Sequence, residues 1–432
     1  MSVRPPTDIR QGWYTRARVP AELVHGLHRH DTDAGDGLAL VDFAITHDGK
    51  VSAEPAGGPR FDLGERLVLP TFVDSHVHLD KAFILHRTGL PKGGLLDAVK
   101  LAGADAVNWT GEDLEARMTR ALGRAYANGT SAMRTHLDTP VMPHESIQWT
   151  TFDRVRTRWA GRIALQAVAL MALDRVDHAE FAERCRQITG LNGVLGAFIV
   201  PGTATPERLD ALFAHAAAAG VDVDFHADET LDPAANAIEL ICDSVLRTGF
   251  IGTVVAGHCC SLSSRDDADR DRIIDKIAQA GVHIVSLPHS NLFLQDRTVG
   301  ATPKRRGITQ VRELRARGAS VHFASDNVRD PFCPYGDFDM IDVMRSAIRV
   351  AHLDVDVGAW ITAQMQGAAG ACGFRGHGQI AVGRPADLIL LDAGDWHDLF
   401  SRPFVDRVVL RNGVPLPATT SGLRDFFGVG NS

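Results

Sequence analysis

The amino-acid sequence predicts an α/β fold of the (β/α)8 TIM-barrel class, and three observations support this prediction. Eight short apolar runs occur between residues 67 and 326. From the second run onward they begin about 30 residues apart, the length of one βα unit. The segments between them carry apolar residues at three- and four-residue spacing and end at glycine, as amphipathic helices do. Eight such units predict a parallel sheet that closes into a barrel.

The predicted strands follow one another in the order of the chain. They are LVLPTFVDSH (67–76), TSAMRTHLD (130–138), RIALQAVAL (162–170), GVLGAFIVP (193–201), GVDVDFHAD (220–228), GTVVAGHCC (252–260), GVHIVSLP (281–288) and GASVHFASD (318–326). Nearly every run is apolar throughout, as strands covered on both faces should be. A doubly wound open sheet is the alternative fold, but the sequence lacks the glycine-rich phosphate loops that often accompany it.

Both ends of the chain carry hairpin signals instead of βα units. Asp48-Gly49 and Gly57-Gly58 separate short alternating runs near the start, and two similar runs follow residue 378. We therefore expect a small β-sandwich domain built from residues 1–68 plus 374–432, and a catalytic barrel over residues 69–373.

Composition excludes several classes of partner. The net charge is −8 and basic residues are dispersed, so we expect no nucleic-acid partner. No apolar stretch is long enough to span a membrane and the N-terminus lacks a signal-peptide core, so we expect no membrane association and a cytoplasmic location. The six cysteines form no CxxC pair, which favours reduced thiols over zinc fingers or disulfides.

Residues typical of metal ligands follow several predicted strands. His76 and His78 lie two residues apart on the first strand and therefore point to the same side. His226 ends the fifth strand and Asp326 ends the eighth. In a barrel these strand ends meet at one face, where three imidazoles and one carboxylate suit a single Zn or Fe ion. The fourth strand has no lysine that could bridge a second ion.

Each of these residues also has a structural interpretation. A single H-x-H motif at a strand end is more often structural or surface-exposed, and Asp326 could cap a helix. Glu229 could be a solvated loop carboxylate, and Lys81 a surface lysine. The coincidence of histidine or aspartate at four strand ends favours the metal site over these alternatives.

Several motifs together resemble the cytosine deaminase group of the amidohydrolase superfamily. They are PTFVDSHVHLDKAF (70–83), FHADET (225–230), GHC (257–259), PKRRGITQVREL (303–314), ASDNVRDPF (324–332) and GRPADLILLD (383–392). The resemblance implies a distorted barrel with one divalent metal ion. It also implies that Glu229 shuttles protons and that His258 orients the nucleophile or polarises the attacked group, while Asp326 acts both as a ligand and in catalysis.

Four positions depart from the cytosine-specific pattern. Ala172 stands where cytosine deaminases carry a glutamine that grips the pyrimidine, Asn327 replaces an aspartate, and His289 replaces an apolar residue. Lys81 replaces a threonine, and the HLDK form is similar to N-isopropylammelide isopropylaminohydrolases. We expect Lys81, His289 and Asn327 to contact the substrate, and a ring other than cytosine to be preferred.

The sequence therefore predicts a metal-dependent hydrolase that removes an amino or alkylamino group from a small nitrogen heterocycle by attack of metal-bound hydroxide. Hydrolysis of a cyclic amide by the same site is one alternative, and a non-catalytic scaffold of this fold is another. The exact substrate, the native metal and the oligomeric state stay open, and a homo-oligomer is compatible with the sequence.

Overall fold

The computed structural model describes residues 11–30 and 36–416. These residues divide into two compact units, one of residues 72–126 and 130–377, the other of residues 11–30, 36–71, 127–129 and 378–416. The predicted domain ends at residues 1–10 and 417–432 lie outside the described residues.

The strands are β1 (Gly12–Pro20), β2 (Val24–His25), β3 (Arg29–His30), β4 (Leu38–Ile45), β5 (Val51–Ser52), β6 (Arg60–Asp62), β7 (Val68–Pro70), β8 (Phe72–Val77), β9 (Thr130–Asp138), β10 (Ala164–Ala172), β11 (Val194–Phe198), β12 (Val223–Ala227), β13 (Val254–His258), β14 (His283–Ser286), β15 (Val321–Phe323), β16 (Ile380–Ala381), β17 (Leu388–Leu391), β18 (Arg407–Arg411) and β19 (Val414–Pro415).

The α-helices are α1 (Leu85–Thr88), α2 (Leu95–Asp105), α3 (Gly111–Ala127), α4 (Ile147–Trp159), α5 (Phe181–Gly190), α6 (Pro206–Ala219), α7 (Ala237–Thr248), α8 (Asp267–Ala280), α9 (Pro288–Leu294), α10 (Val311–Ala316), α11 (Met340–Ala351), α12 (Val357–Thr362), α13 (Ala368–Cys372) and α14 (Trp396–Ser401). None of the helices within the described ranges has the length and apolar character that crossing a bilayer requires.

Strands β8 to β15 form one parallel sheet in their sequence order. Its two edges meet where Val77 forms a parallel bridge with Asp326, and the Asp326 amide donates to the His76 carbonyl at 2.9 Å. The sheet is thus nearly closed into a barrel with helices between successive strands. The predicted fold class is confirmed, and each of the eight predicted runs overlaps one barrel strand, although Val68–Pro70 of the first run forms β7 of the smaller unit.

Helix ends in the barrel follow local sequence rules. The side chain of Thr205 caps α6 by accepting from the Arg208 amide, and Pro206 occupies the first turn. Gly220 ends the same helix at φ +64°, a left-handed conformation in which glycine has no steric penalty. These signals fix where α6 begins and ends.

The smaller unit contains a five-stranded sheet (β1, β3, β4, β5, β6), an antiparallel four-stranded sheet (β7, β17, β18, β19) and a β2–β16 pair. Its core draws on both larger sheets, with Tyr14 and Phe43 stacked at 5.1 Å and Leu388 and Leu410 in the same buried cluster. This is the separate sheet unit expected from the two ends of the chain.

Candidate active site and metal centre

Four predicted ligands converge at the carboxyl ends of β8, β12 and β15. The Nε2 atom of His226 lies 3.1 Å from Nε2 of His76 and 3.2 Å from Nε2 of His78. The Oδ1 atom of Asp326 lies 3.3 Å from Nε2 of His78 and 3.7 Å from Nε2 of His76. Residues separated by up to 250 positions in the chain therefore place their ligand atoms around one point.

The spacing of these atoms fits a metal ion. Ligand atoms roughly 2.1 Å from a tetrahedral ion stand about 3.4 Å apart, which is the separation found here. In the described part of the chain, both oxygens of Asp326 are buried without a hydrogen-bond partner. Buried polar atoms rarely stay unsatisfied, so this cluster is well suited to hold a cation.

Electrostatics also put these groups in the form that binds metal. Burial is the main cause that lowers the pKa of His76, His78 and His226, so the rings are neutral and keep a free lone pair. Burial raises the pKa of Asp326, but its contacts with His78 and His258 outweigh this and hold that pKa below its usual value. Neutral imidazoles and an ionised carboxylate are the metal-binding species.

Two further histidines border the cluster. One nitrogen each of His76, His226 and His258 lies within 4.8 Å of the others, and the same holds for His76, His78 and His136. The Nδ1 atom of His258 lies 3.0 Å from Oδ1 of Asn291, and Nε2 of His136 lies 3.3 Å from Oδ1 of Asp224. The ligand atoms of His76, His78, His226 and Asp326 lie only 3.1–3.7 Å from their neighbours, so this tighter set of four is the better metal site.

Glu229 lies beside His258 at the edge of the cluster. Its Oε1 atom is 3.5 Å from Nδ1 of His258, and its side chain is 13% exposed. Burial raises the pKa of Glu229 to about 7, with Asp326 adding to the shift and His258 opposing it. A carboxyl group that titrates near neutrality can both give and take a proton.

Positive backbone φ angles occur around this cluster, as they do at nine other non-glycine residues of the described ranges. Asp228, His258, Cys259 and Asp326 have φ between +49° and +71°, where side chains other than glycine are disfavoured. Asp326 therefore does not cap a helix, the structural role considered for it. Such strain is common at functional sites, where the surrounding fold holds side chains in fixed positions.

The three predicted substrate contacts lie in three separate polar groups. The Nζ atom of Lys81 is 2.6 Å from Oδ1 of Asp138 and 3.7 Å from Oδ1 of Asp80. Burial lowers the pKa of Lys81, but these carboxylates outweigh it and raise that pKa, so the lysine is a buried cation. It is not the surface lysine considered as the alternative.

Asn327 and His289 have different partners. The Nδ2 atom of Asn327 donates to Oδ2 of Asp330 at 2.6 Å, and burial raises the pKa of Asp330 to about 7. The Nε2 atom of His289 lies 2.9 Å from Oγ of Ser346 and 3.8 Å from Oδ2 of Asp342.

A second polar layer within the barrel was not assigned from the sequence. The fully buried Arg134 on β9 donates to Oδ2 of Asp224 at 2.9 Å. The other carboxylate oxygen of Asp224, Oδ1, lies 3.3 Å from Nε2 of His136. Asp74 on β8 accepts from the amide and hydroxyl of Ser325, next to Asp326. The signal available in the sequence was the presence of charged residues inside otherwise apolar strands, such as Asp224 two positions before His226.

Comparison with known proteins gives consistent results. A model of the amidohydrolase family matches residues 124–411. The chain is 41% identical over 420 residues to the pterin deaminase of Rhizobium rhizogenes, covering 95% of each. It is 23% identical to N-isopropylammelide isopropyl amidohydrolase from a Pseudomonas species, covering 80% of this chain and 85% of that one. A crystal structure of 5-methylcytosine deaminase from Klebsiella pneumoniae matches with a TM-score of 0.78 at 23% identity, covering 95% of this chain and 98% of the other.

These comparisons confirm the superfamily expected from the sequence motifs, and with it the class of hydrolase acting on carbon–nitrogen bonds. Family membership also agrees with a histidine cluster able to hold a divalent metal ion. The chain belongs to the amidohydrolase family.

Proposed function

We propose that this protein is a metal-dependent deaminase that hydrolyses the exocyclic carbon–nitrogen bond of a bicyclic amino heterocycle of the pterin type. The main observation that supports this reaction is the position of Glu229 and His258 beside the histidine cluster, with Oε1 of Glu229 3.5 Å from Nδ1 of His258. The substrate class is supported by the 41% identity to a pterin deaminase over 95% of both chains.

His76, His78, His226 and Asp326 would hold one divalent ion, and this donor set suits Zn or Fe. When bound, such an ion acidifies water at the site and supplies a hydroxide nucleophile near neutral pH.

The protein side chains move the protons. Asp326 accepts a proton from the attacking water, and His258 stabilises charge on the attacked group. Glu229 gives its proton to a ring nitrogen, takes up the proton that the new hydroxyl releases, and passes it to the departing amine. The proton held by Asp326 then restores Glu229. The pKa of Glu229 near 7 suits a group that donates and accepts in one cycle.

Substrate recognition is assigned to Lys81, Asn327 and His289. A buried lysine cation and an amide can both donate hydrogen bonds. They therefore suit a carbonyl-rich ring better than they suit a plain pyrimidine. Ala172 at the end of β10 offers no side-chain hydrogen bond, which argues against cytosine as the preferred substrate. We also retain the cytoplasm as the proposed location, supported by six free, buried cysteines.

The test is an assay of product release across a panel of heterocycles, with the purified protein supplied with Zn or Fe. We expect ammonia from pterins with kcat/KM at least about 100-fold above that for cytosine. Ring opening without release of ammonia or amine would favour the cyclic-amide alternative. If the metal-loaded protein leaves the whole panel unchanged, the scaffold alternative is favoured and the proposal is wrong.

A further inference from the structure

A cavity of about 800 Å³ lies among the loops that follow β8, β14 and β15. In a barrel these loops stand at the carboxyl ends of the strands, the end that also carries His76, His226 and Asp326. Pockets for drug-sized ligands measure roughly 300–1,000 Å³, so this cavity has room for much more than a six-membered ring.

Two residues that line the cavity are linked to the candidate active site. His289, one of the lining residues, lies in α9 two positions before Asn291, which contacts His258. Cys333 also lines the cavity, and its amide donates to Asp330, the partner of Asn327. A substrate held at the site could therefore extend a substituent into this cavity.

Three cations line the cavity: Lys92, Arg297 and Arg306. In the part of the chain that the structure describes, none of them has a carboxylate within ion-pair distance. Arg297 donates only to the Pro91 carbonyl at 3.3 Å, and Arg306 to the Leu292 carbonyl at 2.9 Å. The Nε atom of Arg297 is buried without a partner.

The lack of a carboxylate partner is not common to every surface arginine: Arg272 and Arg317, for example, each pair with carboxylates. The acid that lines the cavity, Asp342, lies 3.3 Å from Arg345, a cation of its own helix. The cavity thus keeps an excess of positive charge in a protein whose net charge is −8.

Aromatic side chains lie next to these cations. Phe293 and Tyr335 meet edge to face with ring centroids 6.2 Å apart, and the Arg297 guanidinium lies 4.2 Å from the Phe293 centroid. Tyr335 is 69% exposed although it lines the cavity. Flat aromatic surfaces beside cations suit a conjugated or aryl linker that ends in an anion.

We propose that this cavity is a subsite for an anionic substituent, a carboxylate or a phosphate ester, carried by the heterocyclic substrate. Lys92 and Arg306 attract the anion at the mouth, and Arg297 binds it against the aromatic wall. The inference rests on the proposed deaminase function. It adds that the substrate carries a negative charge at a position distant from the amino group that is removed.

The experiment compares three matched pterins that bear a carboxylate, a phosphate ester or a neutral carboxamide on the same linker. The variant Lys92→Met/Arg306→Met removes two exposed cations. We expect its kcat/KM for the anionic pterins to fall about tenfold more than for the carboxamide, mainly through KM. The control variant is Arg305→Met, because Arg305 contacts Ser264 and does not line the cavity. We expect it to change kcat/KM for the anionic and the neutral pterins by no more than about twofold.

Raising the salt concentration should increase KM for the anionic substrates only. A larger effect on the phosphate ester than on the carboxylate identifies the preferred anion. Equal losses for charged and neutral pterins, or no loss for either, would overturn the subsite. If the neutral carboxamide pterin is still deaminated, loss of the subsite proposal leaves the proposed deaminase function intact. If no pterin is deaminated, calorimetric titration of the same three compounds still decides the subsite, because binding does not require turnover.

Discussion

The Nδ1 atom of His258 lies 3.0 Å from Oδ1 of Asn291, which belongs to the next βα unit. With Asn291 Oδ1 accepting from Nδ1, the buried Nε2 atom has no other partner among the described residues. Asn291 therefore fixes the orientation of the ring and leaves Nε2 available to water or substrate. It acts as a positioning residue.

The first prediction concerns this contact. Asn291→Ala should lower kcat by roughly tenfold while the metal content stays unchanged, because His258 loses its orientation. Asn291→Asp keeps an oxygen at the same place and should retain more activity than the alanine variant. Steady-state kinetics and elemental analysis check both. Wild-type kcat in both variants would remove Asn291 from the mechanism.

The second prediction concerns Glu229. Glu229→Gln keeps the shape of the side chain but cannot shuttle a proton, so kcat should fall by about 10²- to 10⁴-fold. Metal stoichiometry and thermal stability should match those of the wild type, because the side chain is not in the ligand set. Near-normal turnover by the glutamine variant would exclude Glu229 as the proton carrier.

The third prediction is a pH dependence. Burial raises the pKa of Glu229 to about 7, and the proposed reaction begins with Glu229 protonated. Below that pKa the proton is present, and above it the carboxylate has nothing to donate. We therefore expect kcat/KM to fall as the pH rises through about 7, measured between pH 5.5 and 9 with protein stability followed in parallel. A rate that rises through neutrality would contradict this order of proton transfers.

The fourth prediction concerns the metal. Purified without chelators and reconstituted, the protein should carry about one divalent ion per chain, and His226→Ala should lose most of it. Because the ion binds the folded state, its removal should also lower the melting temperature. Elemental analysis and thermal denaturation with and without chelator test this. Less than about a tenth of an ion per reconstituted wild-type chain excludes a mononuclear metal enzyme.

The fifth prediction separates the structural role of Lys81 from its role in substrate binding. Lys81→Met leaves Asp80 and Asp138 without their cation and should lower the free energy of unfolding by about 1–3 kcal/mol, less than for a fully buried pair because the Asp138 side chain is 40% exposed. In Lys81→Met/Asp138→Asn one of these carboxylates is gone, so part of the stability should return.

Enzyme activity then distinguishes the two roles. If Lys81 binds substrate, the double variant regains stability but not kcat/KM. Denaturant unfolding and kinetics are measured on the same preparations, with Asp138→Asn alone as the matched control. Recovery of both quantities together would assign Lys81 a purely structural role.

Local patterns predicted the barrel because strand and helix periodicities are short-range properties. The apolar run that overlaps β8 and the glycine that ends α6 can be recognised without knowing the fold. His76, His78, His226 and Asp326 could be proposed as one set because every strand of a parallel barrel delivers its end to the same face.

The sequence by itself determined the strand order and which side chains reach the face that carries His76 and Asp326, because alternation along a strand and the parallel topology leave few choices. Tertiary structure alone decided that Asn291 meets His258, that Lys81 is neutralised by Asp138, and that Lys92 and Arg306 border one cavity. These contacts depend on loop paths and side-chain rotamers set by packing between distant segments, and no short-range pattern in the sequence encodes them.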